Sequence, residues 1–268
     1  MSLVELADVS YTYPGGVLAV DGVSLRVDAG ESLAIIGQNG AGKTTTVKLM
    51  NGLLKPSSGR VLIGGEDTAR RTAAQVARRV GYVFQNPDDQ IFNTTVAKEI
   101  SYGLKRLRLD AGESERRLDE AAALTGLGDR LEENPHDLPL SVRKFVTIAA
   151  VLAVDCEVLV LDEPTAGQDQ AGLDRIAEIV EVMTGRGRAV VTITHDMEFV
   201  ARHFARVVVM AERRVVTQGR AEEIFTDSAA MATARLARPA IVELADRLGL
   251  ADVGLSLDAL ADAWRSRG

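Results

Sequence analysis

The chain has 268 residues, of which 46% are apolar, and a formal net charge of −7. This length and apolar share suit one large domain, or one domain with an appendage, around a sizeable core. The acidic balance argues against a chain built to bind nucleic acid, and no apolar run reaches the ~20 residues a membrane-spanning helix needs.

In chain order, the first thirty residues are β-rich. Leu3–Leu6, Val17–Val20 and Val23–Val27 read as strands separated by Pro14-Gly15-Gly16 and Asp21-Gly22. Leu33-Ala34-Ile35-Ile36 is a buried-strand candidate and leads into a glycine-rich loop, after which Lys43 to Leu49 reads as a helix start. A short β segment follows at Gly59–Ile63 and a strand at Val80–Phe84. Residues 94–150 change character and read as helical, rich in Ala, Leu, Arg and Glu, with breaks at Asp110-Ala111-Gly112 and Gly126-Leu127-Gly128. Alternation resumes with a strand at Val158–Leu161, a helix from Gln170 to Met183 and a strand at Ala189–Thr194. Val207–Met210 is placed to pair with Arg214–Thr217. Repeated strand–helix units imply an α/β fold with a mostly parallel sheet, and the helical block is then an inserted subdomain. The longest apolar candidate, Val146 to Leu161, is interrupted by Asp155 and Glu157, and the N-terminus reads as lacking a signal peptide. The single cysteine, Cys156, excludes an internal disulfide, fits a reducing compartment, and reads as buried and inert beside its strand.

Residues 37–44 read Gly37-Gln38-Asn39-Gly40-Ala41-Gly42-Lys43-Thr44, the G-x-x-x-x-G-K-[ST] pattern of a phosphate-binding loop. A strand–loop–helix turn points successive backbone N–H groups and a helix N-terminus at one spot, which suits a polyphosphate. Lys43 is placed to reach the β and γ oxygens, and Thr44 to offer its hydroxyl to Mg²⁺. A second element is Val158-Leu159-Val160-Leu161-Asp162-Glu163, an apolar strand that delivers two carboxylates at its C-terminal edge. There Asp162 suits Mg²⁺, and Glu163 suits orienting or deprotonating an attacking water. His195 ends another apolar strand and is placed to contact the γ-phosphate and hold the water and Glu163 in line. Gln85 leaves the strand at Val80–Phe84, where its amide can touch Mg²⁺ or the water; Pro87 then ends the strand. His136 and His203 lack such a setting and read as surface or structural.

The loop at 37–44, Gln85, Asp162-Glu163 with Pro164-Thr165, and His195 occur in the order and spacing of ATP-binding cassette (ABC) ATPases, which this chain resembles from Leu3 to Gly219. The resemblance implies a P-loop NTPase with an N-terminal antiparallel β subdomain, a helical insert near 86–150 and a C-terminal helical extension at 220–268. It implies ATP and Mg²⁺ as ligands, with Gly37, Asn39, Gly40, Ala41, Gly42, Lys43, Thr44 and Thr45 around the nucleotide. It also implies Tyr13 as the aromatic that stacks on adenine and Asp169 in a loop crossing to a partner subunit. Phe84-Gln85-Asn86-Pro87-Asp88-Asp89-Gln90-Ile91-Phe92 and the tail with Glu222-Glu223-Ile224-Phe225 are more particular. They resemble the ATPases of energy-coupling-factor importers, which include cobalt and nickel importers. That family implies a second ATPase, a transmembrane scaffold whose coupling helices sit beside the Gln85 loop, a separate substrate-binding membrane subunit, and a place on the cytoplasmic face of the cell membrane. Asp88 and Asp89 are then candidates to receive basic residues of such a helix. In the tail, Ile241, Leu244 and Leu248 share one helical face, as do Leu257, Leu260 and Trp264; either stripe can pack on its own domain or against a second ATPase.

One segment departs from the pattern. ABC ATPases share each ATP between two subunits, and the second supplies a Leu-Ser-Gly-Gly-Gln segment opening a helix. The corresponding residues here are Leu138-Pro139-Leu140-Ser141-Val142-Arg143-Lys144-Phe145. Pro139 replaces the Ser and lacks an N–H, and Leu140 replaces a Gly and obstructs close backbone approach. Ser141 substitutes only if the helix start shifts, and Arg143 or Lys144 supplies charge without the same geometry. The expected working unit is therefore a heterodimer with one degenerate composite site, importing a vitamin or a transition-metal ion. A chromosome-maintenance ATPase would need a long coiled coil, and a translation factor would need two cassettes. The alternatives that remain are a nucleotide-sensing regulatory subunit with little turnover and the ATPase of a different type of ABC transporter.

Overall fold

The computed structural model describes residues 2–250 and 254–266. In chain order, β1 (Ser2–Thr12), β2 (Leu18–Asp28) and β3 (Ser32–Gly37) lead into α1 (Lys43–Met50). Then come β4 (Ser58–Ile63), β5 (Glu66–Asp67), α2 (Ala73–Ala77) and β6 (Val80–Val83). Three helices follow, α3 (Val96–Leu104), α4 (Ala111–Thr125) and α5 (Leu140–Leu152), and then β7 (Val158–Asp162), α6 (Gln170–Gly185), β8 (Ala189–Ile193), α7 (Met197–His203), β9 (Arg206–Ala211) and β10 (Arg214–Arg220). The tail carries α8 (Ala221–Thr226), α9 (Ser228–Thr233), α10 (Ala240–Arg247) and α11 (Leu257–Arg265).

Among the described residues the strands form two sheets. One is antiparallel, in the order β2-β1-β4-β5. The other runs β10-β9-β3-β8-β7-β6 and is parallel except for the β10–β9 hairpin. The strands of the parallel sheet read as near-continuous apolar runs because both faces are covered. Leu33, Ile35, Val158, Val160, Val191 and Ile193 pack with α1 and the antiparallel sheet. Their alternates Ala34, Ile36, Leu159, Leu161 and Val190 pack with α3–α7. Parallel pairing puts the C-terminal ends of β3, β8, β7 and β6 along one edge, and the register Asp162↔Ile193 and Val83↔Leu161 levels them. The expected α/β fold, with an antiparallel β unit and helices inserted between β6 and β7, is present.

Several boundaries differ from the sequence reading. The first strand runs on to Thr12, and Asp21-Gly22 does not separate two strands. It sits at an irregularity inside one long β2, because β1 continues to offer a ladder there and pairs on both sides of the register shift. Val17 lies outside β2 and is exposed. The short α2 is held by a reciprocal capping box between Thr72 and Gln75. The breaks expected within the helical block are helix ends: Asp110 caps α4 by accepting from Glu113 N–H, and Gly126 terminates it. The tail stripes divide. Ile241 and Leu248 pack with Ala245, Leu250 and Leu260, whereas Leu244, Leu257 and Trp264 are exposed. Residues 251–253 and 267–268 of the expected extension lie outside the described residues.

Candidate functional site

The glycine-rich loop leaves β3 beside the end of β9, where Gly37 pairs with Met210. A Cβ on Gly37 would lie 2.2 Å from Met210 O, and one on Gly42 would lie 2.6 Å from Ala19 O, so the backbone passes where no side chain fits. α1 starts at Lys43 with Gly42 as its N-cap and with no side-chain acceptor. Its first N–H groups therefore face the loop rather than a capping oxygen, the arrangement that binds anions. By contrast, α3, α4, α6 and α7 are each capped by a Thr or Asp side chain, Asp169 capping α6 through Gly172 N–H. Lys43 Nζ folds back to donate to Gly37 O at 2.7 Å and Gln38 O at 3.0 Å. Burial lowers its pKa, and the nearby Glu163 and Asp162 oppose that shift.

The ends of β7 and β8 supply the other side. Asp162 is 3% exposed; its Oδ2 accepts from the Tyr82 hydroxyl at 2.6 Å, while Oδ1 has no hydrogen-bond partner among the described residues. Burial raises the Asp162 pKa; the Tyr82 hydrogen bond, Lys48, Lys43 and the Thr44 hydroxyl pull it back. Glu163 follows in the left-handed region at φ +49, a conformation that strains a non-glycine residue by ~1–2 kcal/mol. Its N–H donates to Ile193 O at 2.8 Å. Its carboxylate lies 3.1 Å from His195 Nε2 and accepts the His195 N–H at 3.3 Å. Burial is also the largest influence raising the Glu163 pKa, opposed by His195 and Lys43. The flanking turn is closed by a 2.8 Å hydroxyl contact between Thr165 and Thr194.

These groups surround one cavity of about 460 Å³, lined by Asn39, Gly40, Ala41, Gly42, Lys43, Thr44, Thr45, Gln85, Asp162, Glu163 and His195. Gly37 lies beneath it as an acceptor for Lys43. Tyr13 does not line the cavity; its hydroxyl meets Thr45 Oγ1 at 3.1 Å, and its ring stands edge-on to Tyr11 at 4.9 Å. A neighbouring groove of about 450 Å³, bordered by Lys48, Leu53, Phe84, Asn86 and Asp89, shares Gln85 and Asp162 with it. Hard oxygen donors converge at the join between the two. The unpartnered Oδ1 of Asp162 and the exposed Thr44 hydroxyl fit a small divalent cation that keeps most of its ligands as water and phosphate.

Residues 20–166 match the protein family described as ABC transporter. The chain belongs to that family. As an ABC ATPase it binds ATP and couples its hydrolysis to transport. It is 37% identical over 262 residues to the energy-coupling factor transporter ATP-binding protein EcfA of Methanothermobacter thermautotrophicus, covering 96% of this chain and 84% of that protein. It is 41% identical over 239 residues to the cobalt import ATP-binding protein CbiO of Rhodobacter capsulatus, covering 88% and 85%. The structure of cbiO1 from Clostridium perfringens, part of the transporter complex cbiONQ, superposes with a TM-score of 0.78 at 34% identity, covering 91% of this ABC ATPase and 99% of that chain.

The departure at 138–145 has a definite structure. α5 starts at Leu140 with Pro139 as an N-cap that offers no side-chain hydrogen bond, so the helix start does not shift to Ser141. Leu140 is 53% exposed. Arg143 and Lys144 are not free to act on a partner's nucleotide. Arg143 pairs with Asp88 at 2.5 Å and donates to the carbonyls of His136 and Leu138, each at 3.0 Å. Lys144 is buried, and its Nζ donates to Glu163 O and Ala166 O. Asp88, expected to await an external basic residue, is thus already engaged within the chain. Sequence reasoning missed Tyr82 and Lys144 as neighbours of the carboxylates. Their contacts join residues 80 and 19 positions apart, and no local pattern marks either.

Proposed function

We propose that this ABC ATPase powers an energy-coupling-factor-type importer of a vitamin or transition-metal ion, as one half of an ATPase heterodimer on the cytoplasmic face of the cell membrane. The observation that carries the reading is the convergence of Lys43, Thr44, Asp162, Glu163 and His195 on one cavity. The loop N–H groups and the Lys43 ammonium bind the β- and γ-phosphates, and the Tyr13 ring, tied through its hydroxyl to Thr45, stacks on the adenine. Thr44, Asp162 and Gln85 hold Mg²⁺, which when bound neutralises phosphate charge. Glu163 accepts a proton from the water that attacks the γ-phosphorus. The bond to the bridging oxygen then breaks and ADP leaves with that electron pair. A carboxylate whose pKa is raised by burial is the better base for this task. His195 fixes the carboxylate's aim from 3.1 Å and reaches the γ-phosphate.

ATP closes the dimer because it binds the closed arrangement better than the open one, and loss of phosphate reopens it. Pro139 and the exposed Leu140 blunt the face this chain lends to a partner's nucleotide, which favours pairing with an ATPase whose corresponding segment is intact. Exposed Leu244, Leu257 and Trp264 support the 220–268 extension as a contact between the two ATPases. The groove beside Gln85 suits a helix of the membrane scaffold, and a separate membrane subunit selects the substrate. The names of the relatives support the importer class.

Glu163→Gln tests the site: turnover by the intact complex collapses while nucleotide binding persists. Equal turnover by wild type and variant would instead favour a nucleotide-sensing subunit. Vigorous hydrolysis by the purified chain without a partner ATPase would refute the heterodimer.

A further inference from the structure

The first turns of α5 carry an exposed group and a buried one with different surroundings. The side that would meet a partner's nucleotide carries Pro139, without an N–H, and the exposed Leu140. One helical turn beyond Leu140 lies Lys144, which is 5% exposed. Lysine is almost never buried unless its charge is met. Here Nζ donates to Glu163 O at 2.7 Å and to Ala166 O at 2.8 Å.

Both acceptors lie in the turn that follows β7, and that turn begins with Glu163 in the left-handed region at φ +49. A strained residue keeps such a conformation only when its surroundings over-determine it. The Glu163 amide is fixed by Ile193 O on β8, and the Glu163 carbonyl is fixed by Lys144 on α5, so the peptide groups on both sides of its Cα are held. The turn is tied to α5 once more, through Gln168 Nε2 donating to Ser141 O at 3.1 Å.

We infer that Lys144 is a positioning residue: anchored in the helix whose partner-facing start is blunted, its ammonium holds the Glu163 and Ala166 carbonyls and so aims the Glu163 carboxylate within this chain's own site. The inference rests on the assignment of Glu163 as the base. It makes α5 a support in cis, so the segment at 138–145 keeps a function after losing the one it would serve in trans.

The test uses the intact membrane complex, purified through a tag on this chain, with ATP binding measured on the full chain. Lys144→Met keeps the stem and removes the donors. It is expected to lower kcat roughly 10- to 100-fold, as small misplacements of a catalytic group do, while ATP affinity stays within about twofold. Lys144→Gln, with paired donors on a shorter stem, recovers part of the loss. In the Glu163→Gln background, followed by single turnover of labelled ATP, Lys144→Met adds less than a further twofold loss, because the group it aims is already gone. A Lys144→Met kcat within twofold of wild type overturns the inference. So does a parallel fall of kcat, ATP affinity and thermal stability, and so does a full additive loss in the Glu163→Gln background. Should Lys144→Met fail to fold, the same cycle run with Lys144→Gln decides between coupling and additivity. If Glu163→Gln alone leaves turnover intact, the underlying assignment of the base fails instead, a result distinct from any of these.

Discussion

Tyr82→Phe isolates a single buried hydrogen bond at the end of β7. The Tyr82 hydroxyl donates to Asp162 Oδ2 at 2.6 Å, with Tyr82 9% and Asp162 3% exposed. Burial and the Asp162 charge push the phenol pKa far up, so it remains a donor throughout the accessible pH range. Hydrogen bonds to a charged acceptor contribute about 1.5–3 kcal/mol net, and phenylalanine keeps the ring packing, so the bond is nearly the whole of what is lost. For a chain of this size each kcal/mol shifts Tm by about 2–4 °C, which places the expected drop at about 3–12 °C in nucleotide-free protein with a chelator present. The drop depends on pH with a defined sign. Burial raises the Asp162 pKa and the Tyr82 bond is the largest opposing influence, so the variant's pKa rises further. The bond is worth most to the ionised carboxylate. The difference between wild type and variant is therefore full above the Asp162 titration and shrinks as pH falls through it. Differential scanning calorimetry across a pH series measures both quantities. A Tm shift under about 1 °C, or one equal at all pH values, would refute the reasoning.

Three further outcomes are expected. Gly37→Ala abolishes binding of a fluorescent ATP analogue because its Cβ would meet Met210 O at 2.2 Å. Gly65→Ala, at φ +81 with open space around it, destabilises by only ~1–2 kcal/mol and leaves binding unchanged; equal binding by the two variants contradicts this. Arg143→Ala loses a carboxylate partner and two carbonyl bonds and is expected to destabilise by about 1–3 kcal/mol in urea titrations, against at most ~1 kcal/mol for Asp88→Ala, whose side chain is 45% exposed. A larger effect from Asp88→Ala argues against Arg143 as the centre of that cluster. Cys156 is fully buried, and burial pushes its thiol up to about 11, so at pH 8 the native protein stays unlabelled by iodoacetamide under conditions that label the guanidinium-unfolded chain completely. Rapid native labelling shows the site opens.

The contiguous parts of the site are legible in the chain alone. A loop whose eight residues must together wrap a phosphate has to carry its glycines, lysine and threonine at fixed spacing, and residues 37–44 do. Apolar strands covered on both faces announce where they end, so Asp162, Glu163 and His195 stood out as polar groups at strand termini. The length of β2 is hidden in the chain because Asp21-Gly22 looks like a turn locally, and only pairing with β1 keeps the strand going. Tertiary structure alone decided the strand order β3-β8-β7-β6, which sets the phosphate loop, His195, the carboxylates and Gln85 side by side. It also decided the contacts of Tyr82, Arg143 and Lys144. A donor that finds its acceptor across a sheet or between helices leaves no periodic trace in the chain, since its partner is selected by packing and not by sequence distance.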